Sequence, residues 1–302
     1  MRYYTPLRYP GGKSKIANYM KLVFEINKIR DGVYIEPYAG GAGVALALLF
    51  DDYASEIYIN DLNLSIYSFW FCVLNYTDDL CSLIRETPVN TEEWERQSDL
   101  QNRSTEISIL ELGFSTFFLN RTNRSGIISK AGIIGGKDQS GKWKIDARYN
   151  TDDLIKRIRY ISKYSSRISL SNFDAGDFIK GNVSQIPNSI FYLDPPYYIA
   201  GQELYASFYI GDDHRDISES IKSLERPWIV SYDNHREIRK LYEGYRRIEY
   251  GLSYSAGEKY TGNEIMFFSN GLKIPDVESP TGLSIEMVNM ASEPSLFPLR
   301  EV

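Results

Sequence analysis

Apolar positions fall into two rhythms along the chain. Short runs rich in β-branched and aromatic residues occur at Val33-Tyr34-Ile35, Glu56–Asn60, Ile168–Leu170, Ser189–Leu193 and Trp228–Asp233. Such runs, apolar on both faces, predict strands of a covered, mainly parallel sheet. Between them apolar residues recur at helical spacing or fill helix-length runs, predicting helices over Ile16–Ile29, Val44–Phe50, Leu62–Phe71, Leu110–Leu119 and Asp152–Tyr164. Strands alternating with helices predict an α/β fold. Arg246–Tyr250 and Glu264–Phe268 read as a closing antiparallel pair. From about Tyr76 to Lys163 the texture is polar, helical and then loop-rich. The chain therefore divides into a first part of the sheet domain (1–75), an insert (76–165), a second part (166–270) and a Pro/Ser-containing tail (271–302). Within the insert, Ile127–Lys130 and Lys142–Ile145 flank a connection containing Gly132, Gly135, Gly136 and Gly141, which predicts a β-hairpin-like loop.

Candidate chemistry concentrates where predicted strands end. Asp194 follows the apolar run Ser189–Leu193, and Pro195-Pro196-Tyr197 follow it. Two prolines fix φ and remove two N–H donors, so the chain leaves the sheet as a stiff, extended segment. A carboxylate, a carbonyl and a ring then stand where open α/β sheets bind ligands. That set can hold a planar amine, with acceptors on its N–H groups and the ring on its face. Asp-Pro-Pro alone is equally compatible with a plain strand-to-loop exit.

Other strand ends add to this. Glu36-Pro37-Tyr38 leads into the glycine turn Gly40-Gly41-Ala42-Gly43 ahead of an apolar helix, the opening of a nucleotide-binding unit without the spacing of a diphosphate cradle. A cofactor with a cationic amino-acid part fits an acid at that turn. Asp61, at the end of the second strand, can accept from ribose hydroxyls or cap the helix that follows. Asp177 and Phe178 can flank a second planar ligand, and Gly201, Tyr205, Tyr209 and Asp213-His214 fall on a Tyr-rich loop. Near the start, Tyr9-Pro10-Gly11-Gly12-Lys13-Ser14 contains Gly-Lys-Ser, but Leu7 stands where a phosphate-binding loop needs glycine and no strand precedes it. A tight turn bringing backbone and Lys13 close to an anion is the remaining functional reading, beside an ordinary helix start.

Composition changes this picture in one respect. The chain has 302 residues, 43% hydrophobic and 25% charged, as expected of a soluble globular protein. Met1–Pro6 carries no apolar leader segment, and no apolar run reaches the roughly 20 residues that span a bilayer. Two cysteines, Cys72 and Cys81, and no Cys/His cluster predict a reducing cytoplasm and no metal. The net charge is −6, yet residues 120–167 carry twelve Lys/Arg against four Asp, leaving 22 basic and 36 acidic residues elsewhere. A locally basic segment on an acidic body points to a polyanion. Asn120, Arg121, Asn123, Arg124, Lys130, Lys142 and Lys144 are its candidate contacts, since Asn and Arg match adenine and guanine edges bidentately and Lys meets phosphate. Local capping and ion pairing is the competing reading for some of them.

Taken in order from about Leu7 to Asn270, these motifs resemble the Dam-type DNA adenine-N6 methyltransferases. The residues carrying the resemblance are Leu7–Lys13, Glu36–Gly43, Asp61, Phe118–Arg121 with Ser125-Gly126, Asp194–Tyr197, and the Gly201…His214 spacing. Ala42 and Ser125 stand where members of that family have glycine and asparagine. The resemblance implies a Rossmann-like S-adenosylmethionine (SAM)-dependent sheet with an inserted, mainly helical target-recognition subdomain. It implies SAM held by Tyr9, Gly11, Gly12, Lys13, Glu36, Pro37, Tyr38, Gly40, Gly41, Asp61, Asp177, Phe178 and Asp194. It further implies Asp194, Pro195, Pro196 and Tyr197 as catalytic residues acting on an adenine flipped from a specific site in duplex DNA. A monomer of a bacterium, archaeon or phage is expected, orphan or paired with a restriction endonuclease. The alternatives are methylation of cytosine N4 or another planar amine, and a catalytically inactive DNA-binding module.

Overall fold

A computed structural model of the chain describes residues 4–8, 13–129, 131–198, 211–254 and 260–290, with side chains omitted at 252–254 and 260–262. Seven strands form one sheet: β1 (Gly32–Glu36), β2 (Ala54–Asn60), β3 (Ile168–Ser171), β4 (Ser189–Leu193), β5 (Trp228–Asp233), β6 (Arg246–Tyr254) and β7 (Tyr260–Phe268). Their spatial order is β3-β2-β1-β4-β5-β7-β6. The first five run parallel, and β7 enters antiparallel between β5 and β6. The chain travels outward from β1 to β3 and returns to β4, so the order reverses between β1 and β4. Open α/β sheets bind ligands at such a reversal, beyond the carboxyl ends of the strands.

Alternation along the strands builds a layer on each face of the sheet. Tyr34, Ile57, Ile59, Ile190, Tyr192, Ile229, Met266 and Phe268 face one core. Against it lie α1 (Ala17–Ile26), α2 (Gly43–Phe50), α3 (Leu64–Asn75), α4 (Thr77–Glu86), α6 (Ile109–Thr122) and α7 (Thr151–Ser162). Ile35, Phe191, Leu193, Val230, Tyr232, Ile265 and Phe267 face the other core, covered by α8 (Ala175–Lys180), α9 (Gly211–Lys222) and α10 (Arg236–Leu241). Asp213 and His214 therefore belong to a helix and not to the expected loop; Gly201, Leu204, Tyr205 and Tyr209 lie outside the described residues.

The connection from β2 to β3 holds α3, α4, α5 (Thr91–Asn102), α6 and α7. Local chemistry sets their starts. Asn63 accepts from the N–H groups of Ser65 and Ile66, Asn90 from Glu93, Asn150 from Asp153, and Ser108 with Glu111 forms a reciprocal capping box. These helices share the core of the sheet: Phe69 stacks on Phe117 at 6.1 Å, and Tyr149 meets both Phe117 and Phe118 edge-on.

Two expectations are corrected. No hairpin forms across 127–145; among the described residues the only pairing there is the isolated bridge between Asn123 and Ile133. Side chains take the place of a ladder. The Asn123 amide donates to the carbonyls of Ile127 and Ile128, and Gln139 donates to those of Ile134 and Gly136 while accepting from Ile145 N–H. Nor does the chain lose structure at Gly271. Leu272, Ile274, Val277, Leu283 and Val288 are buried in the main core, and the last described helix, α11 (Ile285–Met290), packs against α1. Asn27 ties this segment down by bonding both Lys273 N–H and C=O.

Candidate active site

Asp194 stands directly beyond β4 at the sheet's reversal point. Its Oδ1 accepts from Ser231 Oγ at 2.9 Å and lies 2.9 Å from the Lys13 ammonium. Ser231 in turn accepts from the Tyr192 hydroxyl at 2.7 Å, so a buried chain of hydroxyls fixes the carboxylate. Both partners engage the same oxygen. Oδ2 has no partner among the described residues, and the side chain keeps 19% exposure. An oriented carboxylate with one open oxygen is an acceptor prepared for an N–H group.

Tyr197 is buried and donates to Glu264 Oε2 at 2.7 Å. The Lys13 Nζ lies 2.5 Å from its hydroxyl and 4.9 Å from its ring centroid, which puts the ammonium beyond the hydroxyl end and off the ring face. Glu264, on β7, is 1% exposed and 3.5 Å from the same ammonium. The exit of the tetrapeptide is also held: Tyr198 N–H donates to Asp233 Oδ1 at 2.9 Å, and the Tyr198 ring stacks on His235 at 4.4 Å. Pro195 and Pro196 lie in this extended segment. Ser231, Asp233 and Glu264 were not identified from the sequence. Their signal was a polar residue inside a buried strand, or at the mouth of one.

Across the reversal point, Glu36 ends β1 with its carboxyl buried and Oε2 unpartnered. Burial, then the nearby Asp194 charge, holds its pKa well above the usual carboxylate range. The turn after it places Gly40 and Ala42 at positive φ (46° and 47°), a region that costs alanine about 1 kcal/mol or more and glycine nothing. A Cβ on Gly43 would sit 2.2 Å from Ser14 Oγ, so glycine there lets the first turn after Lys13 close onto the helix start. Gly40 N–H donates to Asp61 Oδ2 at 2.8 Å and Asn63 N–H to Asp61 Oδ1 at 2.9 Å. Burial raises the Asp61 carboxyl to about 6, against the pull of these two bonds. Asn60, fully buried, bonds the Pro37 and Phe173 backbones and so joins β1, β2 and the exit of β3. Tyr38 and Gly41 lie in the same turn.

Asp177 is exposed on α8, whose start is capped by Asp174. Phe178 is 8% exposed and packs in the second core beside the exposed Asp177. Phe173, 59% exposed and held to Asn60 by two backbone bonds, is the open ring on this side. Tyr9, Gly11, Gly12 and Lys130 lie outside the described residues.

The basic segment divides into internal and surface groups. Asn120 and Asn123 are buried with both ends of each amide engaged. Asn120 accepts from Arg8 N–H and donates to the carbonyls of Arg8 and Gly126, while Asn123 accepts from the Trp94 indole. As placed their amides clamp backbone. Arg121 donates to Arg148 C=O, and burial, then Arg8 and Arg157, lowers it to about 10. Arg157 and Arg159 pair with Asp153 and Asp78, and Arg167 holds the Ala54 and Ser55 carbonyls. Arg124, Lys142, Trp143 and Lys144 are exposed, although Lys144 also bonds Gln139 C=O. Arg124, Lys142 and Trp143 line a surface groove with Ile134 and Gly135. Cations within 6 Å of the Trp143 ring come from Lys142 and Arg148.

The residues at the reversal point fit a cationic, ribose-bearing cofactor: three carboxylates, one with an orphaned buried oxygen, surround a glycine turn. No group of acids, histidines and cysteines among the described residues could hold a metal ion, and no described helix is long and apolar enough to cross a membrane. Among solved structures the chain is similar to a putative RNA methyltransferase PH1948 from Pyrococcus horikoshii, at 10% identity and a TM-score of 0.39 over 87% of this chain and 84% of that one. It is also similar to the rRNA methyltransferase aviRa from Streptomyces viridochromogenes, at 11% identity and a TM-score of 0.34 over 79% and 76%. No curated protein sequence matches it. The D12 class N6 adenine-specific DNA methyltransferase family matches residues 9–255. The chain belongs to that family, and is a SAM-dependent enzyme that methylates adenine N6 in DNA.

Proposed function

We propose that the protein is a Dam-type, site-specific methyltransferase acting on an adenine flipped out of duplex DNA, with Asp194, Pro195, Pro196 and Tyr197 as the catalytic segment. The observation carrying this reading is the Asp194 carboxylate, fixed through Oδ1 and with no partner for Oδ2 among the described residues. The exocyclic nitrogen of adenine is a poor nucleophile because its lone pair is delocalised into the ring. Asp194 Oδ2 accepts one N–H and the Pro195 carbonyl the other, which favours a tetrahedral nitrogen and aims its lone pair. The Tyr197 ring stacks on the flipped base, a contact worth roughly 1–3 kcal/mol per base by analogy with single-strand binders. When bound, SAM supplies the electrophilic methyl group. Glu36 and Asp61 hold its cationic and ribose parts, with Pro37, Tyr38, Gly40 and Gly41 in the turn, Lys13 and the Tyr9–Gly12 segment beside it, and Asp177 at the rim. Catalysis then rests mainly on positioning.

Arg124, Lys142, Lys144 and Lys130 meet the DNA, and Arg121 supports them through the Arg148 carbonyl. The protein works as a monomer in the cytoplasm, as an orphan enzyme or beside a cognate restriction endonuclease. The test of the central step is Asp194→Ala. It should abolish methyl transfer to duplex DNA while SAM binding persists; unchanged turnover would refute the role. Sequencing N6-methyladenine in DNA from cells expressing the protein identifies the site.

A further inference from the structure

One ammonium serves two carboxylates in this site. Lys13 Nζ is 2.9 Å from Asp194 Oδ1 and 3.5 Å from Glu264 Oε2, and both Lys13 and Glu264 are bonded to the Tyr197 hydroxyl. Glu264 comes from β7, the antiparallel strand on the far side of β5, where it pairs in register with Asp233. It is 1% exposed, and a carboxylate so far from water persists only where donors compensate it. Here the donors are the groups that surround the catalytic acid.

We propose that Glu264 is a positioning residue: its carboxylate shares the Lys13 ammonium with Asp194 and holds the Tyr197 hydroxyl, and so sets the strength of Asp194 as an acceptor for the substrate amine. This rests on the reading of Asp194 given above. An ammonium bound wholly to Asp194 draws electron density from its carboxylate and weakens acceptance at Oδ2. A shift of Nζ by roughly 0.7 Å brings it to ordinary hydrogen-bond distance from Glu264 and relieves Asp194. The Tyr197 hydroxyl donates to Glu264 throughout, so the ring keeps its place while the ammonium moves. Charge is conserved inside the site, and no proton needs to be exchanged.

The experiment combines Glu264→Gln, Glu264→Asp and the double variant Lys13→Met/Glu264→Gln in the full chain. Melting temperature checks folding, equilibrium dialysis gives the SAM Kd, and single-turnover methyl transfer is followed at saturating SAM and DNA. In Glu264→Gln the competing negative charge is gone and the ammonium turns toward Asp194, so the rate should fall roughly tenfold or more while the SAM Kd changes by less than about threefold. Glu264→Asp should recover part of the rate. Lys13→Met alone is the reference for the double variant: with the ammonium absent, Glu264→Gln should cost little further rate. A Glu264→Gln loss as large in the Lys13→Met background as in wild type, or a Glu264→Gln rate equal to wild type, would overturn the proposal. Should Glu264→Gln fail to fold, Glu264→Asp carries the test, and an unchanged rate there overturns it. Activity in Asp194→Ala would instead remove the reading beneath it.

Discussion

Asn120 offers the sharpest test of whether the Asn-Arg stretch at the end of α6 reads bases or builds the protein. Replacing it with alanine deletes three bonds of 2.6–2.7 Å, to Arg8 N–H, Arg8 C=O and Gly126 C=O. The Gly126 bond is buried; the two to Arg8 are partly buried. An orphaned buried carbonyl costs about 1–3 kcal/mol and each of the two partly solvated losses about 0.5–1.5 kcal/mol, giving a total near 4 kcal/mol. A 302-residue chain has an unfolding entropy of roughly 0.6 kcal/mol/K, so Tm should drop by about 6 °C. Asn120→Asp should be no better, because it sets a carboxylate oxygen against two carbonyls. Calorimetry measures the first effect. Because Arg8 leads directly into the Tyr9–Lys13 segment, the SAM Kd of Asn120→Ala should also rise. The assay that separates the alternatives is methylation of a random-sequence DNA library. The clamp reading requires a lower Tm with an unaltered site preference; a Tm within 1 °C of wild type with an altered preference would refute it.

Two further outcomes are expected. Arg124→Ala should weaken DNA binding at all sequences and lower the slope of log K against log salt by about 1, read from isotherms at several salt concentrations; an unchanged slope removes Arg124 from the interface. The Asp61 carboxyl, raised to about 6 by burial, gives opposite signs for folding and for cofactor binding. The folded state holds this proton more tightly than the unfolded chain, so the cost of the buried charge is present above pH 6 and fades as pH falls toward 4. A ribose acceptor must be ionised, so the SAM Kd should rise as pH drops below about 6, and titration calorimetry at pH 5.5 and 7.5 should show it.

The sheet was legible because its strands are apolar on both faces and bounded by acids, prolines and glycines. Asp194, Glu36 and Asp61 could be placed at strand ends from that alone. What could not be read is what depends on register. Ser231 and Glu264 reach Asp194 and its neighbours only because β5 lies beside β4 and β7 lies beside β5, pairings with no local signal. The hairpin failed for a related reason: glycines and β-formers flanking a turn do not disclose that Asn123 and Gln139 will take the backbone bonds first. The burial of the segment after Gly271 was not legible because burial depends on what lies across the fold. Ser125 at φ 58° and Gly126, whose Cβ would fall 2.4 Å from Arg8 C=O, show that this part of the motif answers to backbone geometry.

The shared core of sheet and insert constrains how such an enzyme can acquire a new target. Phe114, Phe117, Phe118 and Leu119 of α6 and Leu154, Ile155 and Ile158 of α7 lie in the same cluster as the sheet residues beneath them. Grafting residues 76–165 from a relative would therefore exchange half of a jigsaw, and chimaeras should come out insoluble before they come out respecified. Residues 124–148 are different, because their shape is maintained largely by Asn123, Gln139 and a handful of turns. Sequence there can drift at little expense to the body. If this loop faces DNA as proposed, a change of recognition should proceed by rewriting it, one surface residue at a time.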